Sequence, residues 1–553
     1  MLFSIFAIDK KDNDMISEVM GMSLVDLYTK SLIDFKERDA FSTIKKDRLT
    51  YEKFGERVEK LTDIFNKHGI KKGEKVAILG SNMPNWAVSY FAVTTSSRIA
   101  VPILTDFTAF EIANVVDHSE ATVIVVSEKL QYKLSESLID KFSLVVLMDT
   151  MEVISSKGKM DFILNELPEA TDIATIIYTS GTSGASKGVM LSHRNLVTQN
   201  YMANKLMPMY KEDVFLSILP LSHAYECSLG LILPFSRGSQ VVYLDGAPTP
   251  SLLLPALAEV RPTIMLSVPL IVEKLYKNKI RPMFTKNWIL QVLYSIHFIR
   301  RALHKVAGSK LYQTFGGQLR FFGIGGSKLD SKVEKFLADA RFPYSIGYGL
   351  TETSPLLAGA LPGKVTLQST GPHLPDLEMK ILNPNKKGIG EIIVKGPTVM
   401  VGYYKDPVTT ASCFTEDGWF RTKDLGYIDK KGNLYIKGRK DNMIVGANGE
   451  NIYPEEIEAI INEHDLVLES LVMNIKGKLT AIVHYNYEQI EKLHTFNEEA
   501  VVNMAQRVED VRKELLEYVN DRVNKSSKIM EIIEQAAPFE KTATQKIKRY
   551  LYS

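Results

Sequence analysis

The chain has 553 residues, 45% hydrophobic and 24% charged, with 67 Lys and Arg against 65 Asp and Glu for a formal net charge of +2. That composition excludes a mostly disordered chain, collagen and a disulfide scaffold, and the near balance of charge leaves no electrostatic footprint for nucleic-acid binding. The length allows several domains around a large core.

The opening MLFSIFAIDKKDND has too short an apolar run for a signal peptide and lacks a basic start; Met20 and Met22 precede the first expected helix, so residues 1–24 are expected as an N-terminal tail whose first 19 residues are loose. Helices are expected over Tyr51 to His68 and Ala109 to His118. Short Val- and Ile-rich runs at 75–80, 122–127, 144–148, 173–178, 214–220, 240–244, 263–269 and 320–326 read as strands buried on both faces. Strands alternating with helices predict an α/β protein with largely parallel sheets over 25–374. From 375 to 440 the strands shorten and Gly and Asn turns multiply, with a hairpin signal at Lys431-Gly432-Asn433. A small α+β domain is expected over 441–553, with a hairpin turning at Lys476-Gly477-Lys478 and a helix carrying Val508, Val511, Leu515, Tyr518 and Val523. Cys227 and Cys413 are far apart and outside any CxxC, so they read as free thiols of a reducing, cytoplasmic setting rather than zinc ligands.

Two stretches carry more than fold. In Ile176 to Gly188 a hydrophobic strand feeds a loop of Thr179, Ser180, Gly181, Thr182, Ser183, Gly184, Ala185 and Ser186 before Lys187. Backbone amides, hydroxyls and one ammonium suit a polyphosphate cradle, though a flexible surface loop has the same composition. The spacing does not satisfy GxxxxGK[ST]. In Trp288 to Lys305 an apolar run ends in basic residues. A buried helix with a cationic C-terminus is the expectation, ahead of a helix lying in a membrane interface as a peripheral contact.

The loop TSGTSGASKGVMLSH resembles the signature of the adenylate-forming superfamily of acyl- and aryl-CoA synthetases, peptide-synthetase adenylation domains and luciferases. Further motifs follow in order: Tyr348-Gly349-Leu350-Thr351-Glu352, Gly418 to Asp424, Gly438-Arg439-Lys440-Asp441, and Thr542 to Lys546. LPLSHAYE at 219–226 and FFGIGGSKLD at 321–330 are similar to the long-chain branch.

The resemblance implies a large domain with a β-rich subdomain and a small mobile C-terminal domain. It implies that Thr179 to Lys187 hold the β and γ phosphates of ATP, that Thr351 contacts phosphate and that Glu352 binds Mg²⁺. Tyr348 would stack on adenine beside Gly349, with Gly325, Gly326 and Ser327 lining the pocket. Asp424 would accept the ribose hydroxyls and Arg439 would hold ribose or phosphate. Lys546 would catalyse adenylation; taken alone it is one lysine in a basic tail. Asp441 would be a hinge whose rotation brings the loop of Gly446 and Gly449 to the site for coenzyme A. His223 would lie near the acyl gate and pantetheine channel, or else be a packed core histidine. Lys423 and Gln545 stand where the family usually has Gly; Lys423 is expected to point to solvent.

The implied activity is ATP-dependent conversion of a long-chain fatty acid to acyl-AMP and then acyl-CoA. Alternatives are an acyl carrier protein as acceptor, a medium-chain or aryl acid as substrate, and a non-catalytic acyl-adenylate or nucleotide sensor.

Overall fold

The computed structural model describes residues 12–44, 46–157, 160–179, 186–285, 288–445, 450–494, 504–542 and 546–552. They form a mixed α/β architecture divided into two compact units. The first holds the residues up to Thr179, 186–379 and 394–420; the second holds 380–393 and 421 onward.

Two large sheets build the first unit. One runs in the order Gly402–Tyr403, Lys187–Ser192, Ile173–Thr179, Ile99–Pro102, Lys75–Leu79, Val123–Val126, Leu144–Leu147, Glu152–Ser156. Its middle strands are parallel, and the strands outside Ile173–Thr179 and Leu144–Leu147 run antiparallel. The other runs Tyr344–Ile346, Phe321–Ile324, Ile264–Ser267, Val214–Ser217, Gln240–Tyr243, Asp39–Thr43, Lys46–Thr50, parallel except for the last pair. Val123–Val126 and Ile264–Ser267 are buried at every position, as strands covered on both faces must be. Each of the eight expected runs contains a strand.

The second unit contains a helix, Pro454–Asn462, and a three-stranded sheet of Val467–Ile475, Lys478–Tyr485 and Glu531–Glu534. Ile457, Ile461, Val472, Val483, Val511 and Leu515 form its core with the helix Met504–Asn520. The turns at Lys431-Gly432-Asn433 and Lys476-Gly477-Lys478 both form. Gly432, Lys476 and Gly477 take positive φ there, which the tight connections require.

Two expectations are corrected. The N-terminal stretch is helical from Asp12 to Met20, because Val19 is buried and Arg194 donates to the Met20 carbonyl at 2.9 Å. Tertiary contacts thus hold a helix too short to persist alone. Trp288 to Lys305 is not one buried helix. It is two, Trp288–Ser295 and His297–Thr314, and the first buries none of its residues. Among the described residues no helix is long and apolar enough to cross a membrane.

Candidate active site

In the first unit the strands Ile173–Thr179 and Lys187–Ser192, which flank the signature loop in sequence, pair antiparallel, with Thr179 opposite Lys187. The helix starts only after the second strand. There the Ser192 hydroxyl accepts from the Asn195 amide at 3.2 Å while the Asn195 side chain accepts from the Ser192 amide at 2.8 Å, a reciprocal cap that stops the strand and starts the helix. Lys187 therefore begins a strand, with its ammonium 5.2 Å from the ring centre of Tyr403. That distance is within cation–π range.

Tyr403 also donates its hydroxyl to Glu352 Oε1 at 2.9 Å. Burial and the neighbouring Glu352 carboxylate hold the Tyr403 phenol above its ordinary pKa, so it remains a donor. Glu352 sits in the single helical turn Thr351–Thr353, and its carbonyl accepts from Met400 at 2.8 Å. Tyr404 donates its amide to Gly188 at 2.8 Å. The 400–404 segment thus ties the carboxylate's turn to the lysine's strand. Gly349 is obligatory, since a Cβ there would collide with the Pro355 carbonyl.

Gly325, Gly326 and Ser327 follow the strand Phe321–Ile324, and Gly326 turns with φ of 96°. The Tyr225 ring lies 3.2 Å from where a Cβ on Gly325 would be, so the strand end is flat because an aromatic ring occupies the side-chain space. Tyr348 pairs with Ala358. His223 is half-buried at the start of a helical segment, and its carbonyl accepts from Cys227 at 2.8 Å. A wide π-helical turn, Cys227–Ile232, follows with every residue buried.

Glu226 is fully buried and accepts from the Ser217 hydroxyl at 2.6 Å. Burial pushes its carboxyl up to about 8, against hydrogen bonds from Ser217 and the Leu219 backbone. The Asn82 side chain donates to the Leu219 carbonyl at 2.6 Å and accepts from the Leu221 amide at 3.0 Å. Glu226, Ser217 and Asn82 therefore brace the 217–221 turn that leads to His223.

In the second unit Asp424 faces Arg439 across neighbouring strands, and Arg439 Nη1 donates to Asp424 Oδ1 at 2.9 Å. The Lys423 side chain is exposed to solvent, as expected, beside another exposed side chain. Its ammonium lies 3.6 Å from Asp441, and its backbone takes φ of 60°. That left-handed geometry is one glycine adopts freely. Buried Glu391 receives Arg421 at 2.7 Å and Lys440 at 2.9 Å. Its burial works upward, but those two hydrogen bonds outweigh it and hold the carboxyl below its ordinary value.

The Lys546 carbonyl accepts from the Thr542 amide at 2.8 Å, and the Lys546 amide donates to the Thr542 hydroxyl at 3.2 Å. Arg549, three residues on, donates to both Glu458 oxygens at 2.6 and 2.5 Å. Burial raises Glu458 to about 7 while Arg549 pulls it down. The basic tail is therefore docked, with Ile547 and Tyr552 packed against Leu471, Ile482 and Phe539.

Ser180, Gly181, Thr182, Ser183, Gly184, Gly446, Gly449 and Gln545 lie outside the described residues. Sequence reasoning missed Tyr403, Glu391 and Arg549. Tyr403 had only a GYY triplet as signal, and its role depends on a strand pairing 51 residues from Glu352. Among the described residues no group of three or more His, Cys, Asp or Glu is placed to hold a metal. A lone Glu352 suits an ion that takes most of its ligands from phosphate and water, as Mg²⁺ does.

The chain belongs to the AMP-binding enzyme family, which matches residues 32–404. It is similar to the peroxisomal long chain acyl-CoA synthetase 6 of Arabidopsis thaliana, 30% identical over 468 residues, covering 75% of this chain and 65% of that one. It is also similar to a chloroplastic long-chain-fatty-acid–[acyl-carrier-protein] ligase of the same plant. That match is 27% identical over 543 residues, covering 81% of this chain and 73% of the relative. The chain thus spans about two thirds to three quarters of these relatives. Its fold matches that of the o-succinylbenzoate coenzyme A synthetase of Bacillus subtilis in complex with ATP and magnesium. The TM-score is 0.75 at 22% identity, covering 95% of this chain and 98% of that one. The fold is that of adenylate-forming enzymes.

Proposed function

We propose that the chain is an AMP-forming acid–CoA ligase whose acid is a long-chain fatty acid. A carboxylate resists nucleophiles because its oxygen leaves poorly. Attack of that oxygen on the α-phosphate of ATP expels pyrophosphate and gives an acyl-adenylate, which the thiol of coenzyme A then opens, releasing AMP. The first step demands positioning and charge neutralisation. The observation that carries the reading is Tyr403, which holds the Glu352 carboxylate by its hydroxyl and the Lys187 ammonium over its ring.

In this reading Thr179, Ser180, Gly181, Thr182, Ser183, Gly184 and Lys187 bind phosphates and Thr351 assists them. Glu352 would hold Mg²⁺, which supplies charge neutralisation for the departing pyrophosphate. Tyr348 and the Gly325-Gly326-Ser327 turn receive adenine. Asp424, fixed by Arg439, receives the ribose. Lys546 neutralises the carboxylate and α-phosphate as they meet, from a tail anchored by Arg549. Division at Asp441 into an N-terminal adenylating part and a rotating C-terminal domain belongs to the same proposal, as do Gly446 and Gly449 in the thiol step and His223 at the acyl channel.

The acyl-carrier-protein ligase among the relatives favours a second acceptor for the same acyl-adenylate. Cytoplasmic residence is supported by two buried free cysteines; the relatives named above are peroxisomal and chloroplastic, and cell fractionation decides.

The test is acid-dependent pyrophosphate release from ATP and Mg²⁺, over acids from acetate to long-chain fatty acids, with and without coenzyme A. Release with long-chain acids, and acyl-CoA formed only when coenzyme A is added, is expected. Release confined to aryl or short acids overturns the substrate. Acyl-AMP that accumulates despite coenzyme A points to the carrier protein. No release with any acid overturns the enzyme reading.

A further inference from the structure

The helix Pro454–Asn462 opens on Glu455, Glu456 and Glu458, which reach different partners within the second unit. Glu456 receives the Lys437 ammonium at 2.6 Å. Glu458 receives Arg549 and, at 2.7 Å, the Val472 amide. Glu455 turns instead to the end of the strand Leu434–Arg439. Its Oε1 accepts from the Asn442 side chain at 2.6 Å and from the Arg439 amide at 3.4 Å.

That placement is unfavourable for an anion taken by itself. Glu455 Oε2 is buried and has no hydrogen-bond partner among the described residues, so it gives up hydration without a donor in return. Arg549 Nη2, 4.0 Å from Oε1, and the first turn of the helix offset part of the loss. Glu391 and Glu458, which brace the same unit, bond through both oxygens. Glu455 bonds through one, and that one faces Arg439 and Asn442. Gly438 lets the carboxylate come so near, since a Cβ there would lie 2.5 Å from Oε2.

The position of Arg439 matters because its Nη1 holds Asp424 Oδ1 at 2.9 Å. Strand pairing sets Arg439 opposite Asp424. Lys440, the next residue, is drawn to Glu391 at 2.9 Å. Glu455 adds a constraint on the backbone itself, at the residue whose side chain reaches Asp424. A shift of the Arg439 backbone would pass directly to the carboxylate that it holds.

We infer that Glu455 is a positioning residue for the Asp424–Arg439 pair, fixing the end of the strand so that Asp424 is presented to the ribose hydroxyls of the nucleotide. The inference rests on the ligase reading, which gives the ribose to that pair, and it adds a residue outside every sequence motif named above. Its action is indirect, through the Arg439 amide and the Asn442 side chain.

The test measures the affinity of the full chain for ATP and for 2′-deoxy-ATP, each with Mg²⁺, by calorimetry with no acid present. A site that hydrogen-bonds a hydroxyl rejects the analogue lacking it, so the ratio of the two dissociation constants reports the ribose contact. Glu455→Ala should lower that ratio at least about threefold. Glu455→Gln keeps an acceptor for Asn442 and the Arg439 amide, and should restore most of it. Gly438→Ala leaves Glu455 in place but puts a methyl where its carboxylate lies, and should lower the ratio as Glu455→Ala does. The double variant should lose no more than either single one. If Glu455→Ala does not fold, Gly438→Ala decides alone. An unchanged ratio overturns the inference. So does equal weakening of both nucleotides with the ratio kept, which marks a merely structural residue, and so does a parent that binds the two equally or not at all. Ribose discrimination that Glu455→Ala lowers, in a chain that releases no pyrophosphate with any acid, would sustain this inference while removing the ligase reading.

Discussion

The Tyr403 hydroxyl donates to Glu352 Oε1 at 2.9 Å while its ring lies under the Lys187 ammonium. One side chain therefore positions a carboxylate and a cation that the sequence separates by 165 residues. Tyr403→Phe keeps the ring and removes only the hydrogen bond. A bond to a charged group contributes about 1.5–3 kcal/mol, so adenylation should fall roughly tenfold or more. The Mg²⁺ concentration for half-maximal pyrophosphate release should rise. Formation of acyl-CoA from supplied acyl-AMP should not change. An unaltered Mg²⁺ dependence would remove Tyr403 from the phosphate site.

Lys546→Ala should abolish adenylation and spare thioester formation from supplied acyl-AMP; loss of both would contradict a site that uses different residues in its two steps. Arg549→Ala tests the anchor. It frees the segment of Lys546 from Glu458 and should reduce the same half-reaction, by less than Lys546→Ala does. It should also destabilise the second unit by about 1–3 kcal/mol, the usual range for a lost buried charged hydrogen bond. Limited proteolysis of the C-terminal tail reads the anchoring directly.

Glu226 predicts a pH dependence with a definite sign. Its folded value, about 8, lies above the ordinary carboxylate value of 4.5, because burial disfavours the anion. The folded state therefore holds a proton that the unfolded chain releases, and stability falls as pH rises from about 4.5 through about 8. Tyr225, Cys227 and Tyr243 face the same buried region, and each is pushed upward by burial first and by Glu226 second or later, so they stay neutral over this range. Glu226→Gln keeps the shape without the titration. Its melting temperature should exceed the parent's near pH 8 and approach it near pH 5. Parallel curves across that range would assign the alkaline loss to another group.

Lys423→Gly removes a residue whose backbone is held at φ of 60°. Left-handed geometry costs a lysine about 1 kcal/mol. Glycine adds comparable unfolded-state entropy, and the half-exposed pair with Asp441 contributes little. Stability should stay within about 1 kcal/mol. A change confined to the thioester-forming step would mark Asp441 as the hinge. A change confined to adenylation would place Lys423 at phosphate instead.

The sheets were legible because strands buried on both faces need continuous Val and Ile, as in Val123–Val126, and no other element of that length does. The C-terminal hairpin was legible because Lys476-Gly477-Lys478 fits a tight turn and little else. Lys187–Ser192 was not foreseen as a strand. Its Gly-rich entry resembles a phosphate loop that feeds a helix, and only pairing with Ile173–Thr179 distinguishes the two. Trp288–Ser295 misled because an apolar run carries no record of whether protein covers it. Asp424 and Arg439 were readable as motif residues, but their mutual hydrogen bond follows from strand register, which no local pattern encodes.

Gly230 sits one π-helical turn from Glu226, and a Cβ there would lie 2.7 Å from the Glu226 carboxyl carbon. The two positions are therefore not independent heritable choices. A methyl at 230 requires the side chain at 226 to shorten or swing aside, and a shorter 226 leaves a gap that a larger 230 fills. Descendants of this chain that carry a side chain at 230 should therefore also differ at 226, whereas Gln at 226, which keeps the shape, leaves glycine at 230 in place, so a residue other than glycine at 230 is a lineage marker.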